Sequence, residues 1–181
     1  MENLFWKIKS FHQLNVFELY GILKLRQQVF AVEQNCVYLD ADGKDQFCDH
    51  IFGVDDAGQV MAYCRILQPG SAFQEVSIGR VSTHPDNRHN GWGKLIMEKA
   101  INFIEDKYGP VAVKIEAQYY LEKFYLNFGF EICGAVYLLD GIEHVEMLRE
   151  KNAVNVKAWL GDAWSSQFSE LIWFGIYVNY L

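Results

Sequence analysis

Three consecutive stretches constrain this chain more than any others. An apolar run, Val76 to Thr83, leads into Arg88-His89-Asn90-Gly91-Trp92-Gly93, which opens an amphipathic run, Trp92 to Lys107. Trp92, Leu95, Ile96, Ala100, Phe103 and Ile104 fall on one helical face at three-four spacing. Gly109-Pro110 ends that helix, and Val111 to Ile115 reads as a short apolar strand. A strand, turn, helix and strand in this order require locally parallel strands with a helix on the sheet face. The turn adds a second constraint. The first N–H groups of a helix have no intrahelical partner, and the helix dipole places partial positive charge there. Gly91 and Gly93 carry no Cβ, so an anion can approach the backbone, and Arg88 can add a charged contact.

The flanking chain reads as antiparallel. Leu4 to Lys9 alternates as a first strand. Asn15 and Glu18 have capping-box spacing, and Val16, Leu19, Tyr20, Leu23 and Phe30 recur with helical period, predicting a helix from Val16 to about Phe30. Asp40 to Asp49 is an acidic loop. Ile51 to Val54 and Val60 to Leu67 flank Asp55-Asp56-Ala57-Gly58 as a hairpin, Pro69-Gly70-Ser71 is a turn, and Glu75 to Thr83 is the next strand. Tyr119 to Phe128 reads as a short helix stopped by Gly129. Phe130 to Leu138 and Ile142 to Leu148 form a closing hairpin around Asp140-Gly141. The expected class is α+β, with hairpins at both ends of a mixed sheet.

The 181 residues suit one domain, assigned to 1–150, with a distinct extension at 151–181. A formal net charge of −7 argues against a bulk grip on nucleic acid and leaves cationic partners open. Cys36, Cys48, Cys64 and Cys133 contain no C-x-x-C pair and read as reduced thiols of a cytoplasmic protein. Cys36, Cys48 and His50 match no common zinc spacing, so no metal is expected. The N-terminus has no secretory pattern. The extension carries Trp159, Trp164, Phe168, Trp173, Phe174, Tyr177 and Tyr180, yet Leu171 to Leu181 is too short for a transmembrane segment. It is expected to be a helix that packs on the domain or on a second subunit, which makes a homodimer one expectation.

The glycine turn alone is a weak motif. Together with Gln118 to Phe130, a helix closing on Phe128-Gly129-Phe130, it resembles the GNAT superfamily of N-acetyltransferases. The likeness narrows to the ElaA-like branch through the run Leu25 to Cys36, the acidic segment Asp42 to Gln46, and His50 and Arg65. Ile78-Gly79-Arg80-Val81, Ala117-Gln118 and Asp140-Gly141-Ile142-x-His144 also match. Val37 departs from that branch, which usually has proline there, and the chain beyond Arg149 exceeds the usual family end. The resemblance implies a mostly antiparallel sheet with helices on both faces and a splayed parallel strand pair at the cleft. It implies acetyl-CoA as co-substrate, with backbone groups of Val81 and Thr83 on the pantetheine. Arg88, His89, Asn90, Gly91, Trp92, Gly93 and Lys94 would hold the pyrophosphate, with Gln118 near the cofactor.

The implied reaction is direct acetyl transfer to a small-molecule or protein amine. It needs an oxyanion donor, a base for the ammonium and an acid for the leaving sulfur. Tyr125 is the expected acid; Tyr119 and Tyr120 are expected to pack. Glu33 is the first choice for the base, with Glu75, His50, Glu116 and His144 as alternatives. Each has a plainer reading: Glu33 as a cap or a partner of Arg26, His50 and His144 as structural histidines. Arg26, Arg65 and Arg80 read as partners for the acidic loop Asp40, Asp42, Asp45 and Asp49. A second reading is a non-catalytic CoA-binding or interaction module that works through the aromatic extension.

Overall fold

The crossover required by residues 76–115 is present, and the sheet extends on either side of it. The computed structural model describes residues 4–151; the aromatic extension and its expected packing lie outside the described residues. The elements run β1 (Phe5–Ser10), α1 (Val16–Arg26), β2 (Cys48–Val54), β3 (Val60–Leu67), β4 (Val76–Thr83), α2 (Trp92–Tyr108) and β5 (Val113–Gln118). They close with α3 (Glu122–Leu126), β6 (Glu131–Ile132), β7 (Tyr137–Leu139) and β8 (Ile142–Arg149). The strand order is β1-β2-β3-β4-β5-β8-β6, with β7 also paired to β8. Every pairing is antiparallel except β4–β5.

That parallel pairing holds at only two positions, Val76 with Val113 and Ser77 with Lys114. Beyond them the strands part, and β5 finds its other partner in β8, from Val113–Arg149 to Gln118–His144. The backbone edge of β4 after Ser77 is therefore left open toward β5, and that opening becomes the cleft.

The two longer helices lie on opposite faces. Ile22, Leu25 and Val29 pack with Phe52, Val54, Val60 and Tyr63. Trp92, Ile96, Met97, Ala100 and Ile104 pack with Ile51, Cys64, Ile78, Ile115, Ala117 and Met147. Alternation along β2, with Ile51 on one face and Phe52 on the other, feeds both layers.

Several boundaries shift for physical reasons. The first helix starts at the expected capping box, Asn15 accepting from the N–H groups of Phe17 and Glu18, but it is α-helical only to Arg26. Gln27–Glu33 then widens into a π-helix, with the N–H of Gln34 reaching the carbonyl of Val29. Its buried side is not the stripe beginning Val16, Leu19, Tyr20: Val16 and Tyr20 are each 73% exposed, and the buried side is Glu18, Ile22, Leu25, Arg26 and Val29. Polar residues turn inward because Lys7, Lys9 and the acidic loop supply their partners.

Strand β5 runs Val113–Gln118 rather than Val111–Ile115. Its second half alternates, Ile115 and Ala117 buried against α2 and Glu116 and Gln118 facing the opposite way. The expected strand Phe130–Leu138 is two short pieces, β6 and β7, both paired with β8; Gly134, between them, lies against Glu146.

Candidate functional site

The site starts at the N-terminus of α2. Gly91 sits at φ +75, a left-handed conformation that favours glycine, and no side chain caps the helix. A Cβ added at Gly91 would meet nothing within 4 Å; one at Gly93 would meet only Phe124 and Thr83, each at 3.9 Å. The protein's own packing thus makes no demand for glycine at 93. The missing Cβ leaves open space over the amides of the first turn, where the dipole of a 17-residue helix favours an anion. Trp92 is buried in the core, so only its backbone is available to a ligand there.

The cleft continues from this cradle between β4 and β5 and has a volume of about 580 Å³. Val81, Thr83, Arg88, Gly93, Gln118 and Tyr125 line it; His89, Asn90, Gly91, Trp92 and Lys94 form or follow the adjoining turn. Strand β4 bulges there: Ser82 pairs with Tyr63 and Gly79 with Arg65, so Arg80 and Val81 together face Cys64. Arg80 takes φ 55, a region that costs a residue with a Cβ about 1–2 kcal/mol. The hydroxyl of Ser82, on this same stretch, is buried without a hydrogen-bond partner among the described residues. These features fit a ligand with an anionic end and an extended polar arm.

The arginine box behind β4 holds the bulge. Arg26, fully buried, donates to Asp40 Oδ2 and Asp45 Oδ1 at 2.8 Å each and to the carbonyl of Asp40. Arg65 donates to Asp42 Oδ1 at 2.8 Å and to Asp45 Oδ1 at 2.7 Å, and Arg80 donates to Asp40 Oδ1 at 2.6 Å. The expected pairing of the three arginines with the acidic loop is therefore present for Asp40, Asp42 and Asp45. Asp49 differs: it belongs to β2 and pairs with Lys107 at 2.6 Å. Burial opposes charge on Asp42 and Asp45, yet the arginines outweigh it and hold both carboxyls below the usual range. His50 is structural, bonded to the Tyr63 hydroxyl at 2.8 Å and the Asp45 carbonyl at 3.0 Å, with burial lowering its pKa.

Among the expected bases, Glu33, Glu116 and His144 line the cleft, whereas Glu75 and His50 do not. Glu33 does not meet Arg26. Both its oxygens accept from Arg88, at 2.6 and 2.5 Å, so its carboxylate is committed as a counter-ion to the residue expected on the pyrophosphate. Glu116 accepts from the hydroxyl of Tyr137. Gln118 and Gln34 exchange amide hydrogen bonds at 3.0 and 3.2 Å across the cleft. Tyr120, expected to pack, is 68% exposed and donates to Gln118 at 2.7 Å.

Tyr125 is buried, among Phe124 and Phe130. Its hydroxyl has no partner among the described residues. Burial pushes its pKa up, with smaller contributions from Cys64 and Tyr120. It stays protonated at neutral pH, able to donate but not to accept a proton. Neither Gln34, which lines the cleft, nor Tyr137, which bonds to its lining residue Glu116, was signalled by the sequence, since each arrives from a segment remote from the motif. The four cysteines are free, Cys36, Cys48 and Cys64 buried and Cys133 exposed. No group of metal-binding side chains occurs among the described residues, and no described helix is long and apolar enough to cross a membrane.

Comparisons with known proteins follow this geometry. The family described as "Acetyltransferase (GNAT) domain" matches residues 27–151. Protein ElaA of Escherichia coli is 38% identical over 147 residues, covering 80% of this chain and 95% of that protein. A UPF0039 protein of Schizosaccharomyces pombe is 38% identical over 151 residues, covering 83% and 99%. The crystal structure of an acyl-CoA N-acyltransferase from Pseudomonas aeruginosa superposes with a TM-score of 0.76 at 38% identity, covering 81% of this chain and 99% of that one.

Proposed function

The chain belongs to the GNAT acetyltransferase family, and from that premise we propose that it transfers the acetyl group of acetyl-CoA directly to a primary amine. The observation that carries this reading is one continuous surface. The open glycine cradle at the head of α2 leads into the β4–β5 splay, and Tyr125, whose hydroxyl has no partner among the described residues, lines it.

In this reading, first-turn amides from His89 to Lys94, with Arg88, hold the pyrophosphate. Backbone groups of Val81 and Thr83 pair with the pantetheine arm, with Gln118 beside it. The bulge at Arg80–Val81 aims a backbone donor at the thioester oxygen, where negative charge develops as the amine attacks. Tyr125 then donates its proton to the departing sulfur as the C–S bond breaks. Glu33, expected as the base, acts here as the charge partner of Arg88, because both its oxygens are occupied. Four free thiols suit a cytoplasmic setting.

Thermal unfolding with rising acetyl-CoA tests the reading, since a ligand that binds only the native state raises the midpoint with the logarithm of its concentration above its dissociation constant. The expected result is an upward shift that grows with acetyl-CoA concentration and that acetyl-pantetheine, which lacks the pyrophosphate, fails to reproduce, together with amine-dependent release of free CoA thiol. No shift at millimolar acetyl-CoA overturns it in favour of an interaction module.

A further inference from the structure

The mechanism above leaves the acceptor side of the cleft unused. Along β5, Ile115 and Ala117 are buried under α2, and Glu116 and Gln118 project from the other face. The register sets Gln118 against His144 and Glu116 against Glu146, and β7 sets Tyr137 against His144. One row on one face therefore contains Glu116, Gln118, His144 and Glu146. Glu146 is taken by Lys114 at 2.9 Å and Glu116 is bonded to Tyr137. The ring of His144 stacks on Tyr137, with centroids 6.3 Å apart.

His144 has a defined orientation. Its Nδ1 lies 2.9 Å from the carbonyl oxygen of Ile142. A carbonyl only accepts, so Nδ1 carries the proton and Nε2 of the neutral ring presents a lone pair. His144 lines the cleft together with Glu116, and no described residue bonds to Nε2. Other ionisable groups lining the same cleft are Asp140 at the hairpin turn, the Glu33–Arg88 pair, Arg80, Cys36 and the phenols of Tyr38, Tyr120 and Tyr125.

Building on the acetyltransferase reading, we propose that this row is the acceptor site, that His144 Nε2 takes the proton of the incoming ammonium, and that the acceptor is a primary monoamine with an apolar body. Glu116, fixed by Tyr137, faces the ammonium. The remaining wall at this end includes Phe30, Leu139 and Ile142. A triamine such as spermidine would need two carboxylates beyond Glu116, and with Glu33 held by Arg88 only Asp140 remains among the described lining residues. The protons balance. Nε2 accepts one from R–NH₃⁺, and the freed amine forms the C–N bond. The C–S bond breaks with the proton of Tyr125 going to sulfur. The second amine proton restores the tyrosine through solvent, and imidazolium releases its proton to water.

Free-thiol release with n-hexylamine and with spermidine, across pH 6 to 9, tests this on the full chain. The wild type is expected to favour hexylamine at least tenfold in kcat/KM. His144→Gln should lower kcat by roughly 10²-fold or more. Glu116→Gln should chiefly raise KM for the amine. Acetyl-CoA thermal shifts of both variants report that the fold and donor site survive. Nitrogen NMR of the wild type supplies a readout free of substitution: His144 should show a protonated Nδ1 and an Nε2 that hexylamine perturbs. A preference for spermidine, an undiminished kcat in His144→Gln, or a protonated Nε2 in the neutral ring would overturn the proposal. Donor stabilisation without thiol release from either amine refutes this acceptor site alone; loss of donor stabilisation in the wild type refutes the acetyltransferase reading beneath it.

Discussion

Glu33 and Arg88, 55 residues apart in sequence, join through two parallel hydrogen bonds of 2.6 and 2.5 Å, one closing the π-helical segment and the other the glycine turn. The pair is solvent-accessible, with side chains 38% and 48% exposed, so its net strength is at most about 1 kcal/mol. In the proposed donor site, an incoming pyrophosphate would compete with Glu33 for the guanidinium. Glu33→Gln should therefore tighten acetyl-CoA binding by about two- to fivefold, and Arg88→Gln should weaken it by roughly tenfold or more. Titration calorimetry at low and moderate salt measures both; weaker binding by Glu33→Gln would contradict the competition.

Gly93 separates folding from binding. An alanine there contacts Phe124 and Thr83 at an ordinary 3.9 Å, and alanine is favoured over glycine inside a helix by about 1 kcal/mol. Gly93→Ala should keep or raise the melting temperature while weakening acetyl-CoA binding at least tenfold, an estimate resting on blocked approach to the amides. A variant that melts early, or binds normally, refutes the role of this space.

Tyr125→Phe should lower kcat by roughly 10²-fold while leaving the dissociation constant of acetyl-CoA within about twofold. Burial keeps the phenol protonated, so the activity of the wild type should show no tyrosine limb below about pH 10. Steady-state kinetics with direct donor-binding measurements decide both points.

Acid should unfold the domain in two stages. His50 is buried neutral with a pKa lowered from 6.5, so the unfolded chain binds its proton first and stability starts to fall as pH drops below that value. Glu18 follows. Burial would raise its pKa, but hydrogen bonds from Lys9 and Lys7 and the Asn15 amide bring it from 4.5 to about 2. Its contribution is complete above 4.5 and is lost as pH falls toward 2, alongside those of Asp42 and Asp45. Melting temperatures from pH 8 to 3 should fall gently below 6.5 and steeply below 4.5; a flat profile down to pH 4 would argue against these assignments.

Arg26→Met should be costly. It strips a fully buried guanidinium from Asp40 and Asp45, leaving Asp40 to Arg80 and Asp45 to Arg65. Removing one partner of a buried pair costs about 3–5 kcal/mol, or roughly 10 °C in a domain of this size. Calorimetry of the variant checks this, and a loss under about 1 kcal/mol would show that the loop relaxes to rehydrate both aspartates.

Local chemistry made much of this protein legible. The capping box at Asn15 and Glu18, the hairpin turns at Gly58 and Gly141 and the glycine at the head of α2 depend on near neighbours, and each lies where residue type alone predicts. The order of strand, turn, helix and strand also fixed the parallel pair, because no shorter connection can make one. Contacts between distant segments could not be read this way. Nothing in the spacing of Gln34 or Tyr137 announces a meeting with Gln118 or Glu116, and nothing near Glu33 names Arg88 over Arg26. The buried side of α1 was hidden for the same reason, since Glu18 and Arg26 turn inward only once lysines from β1 and aspartates from the loop arrive to neutralise them. By itself, the sequence determined the glycine turn and the head of α2, where the proposed donor site rests on a backbone turn and a helix dipole. The tertiary structure alone decided the row of Glu116, Gln118 and His144 proposed for the acceptor, because its charges and protons are set by side chains that only folding brings within hydrogen-bond reach.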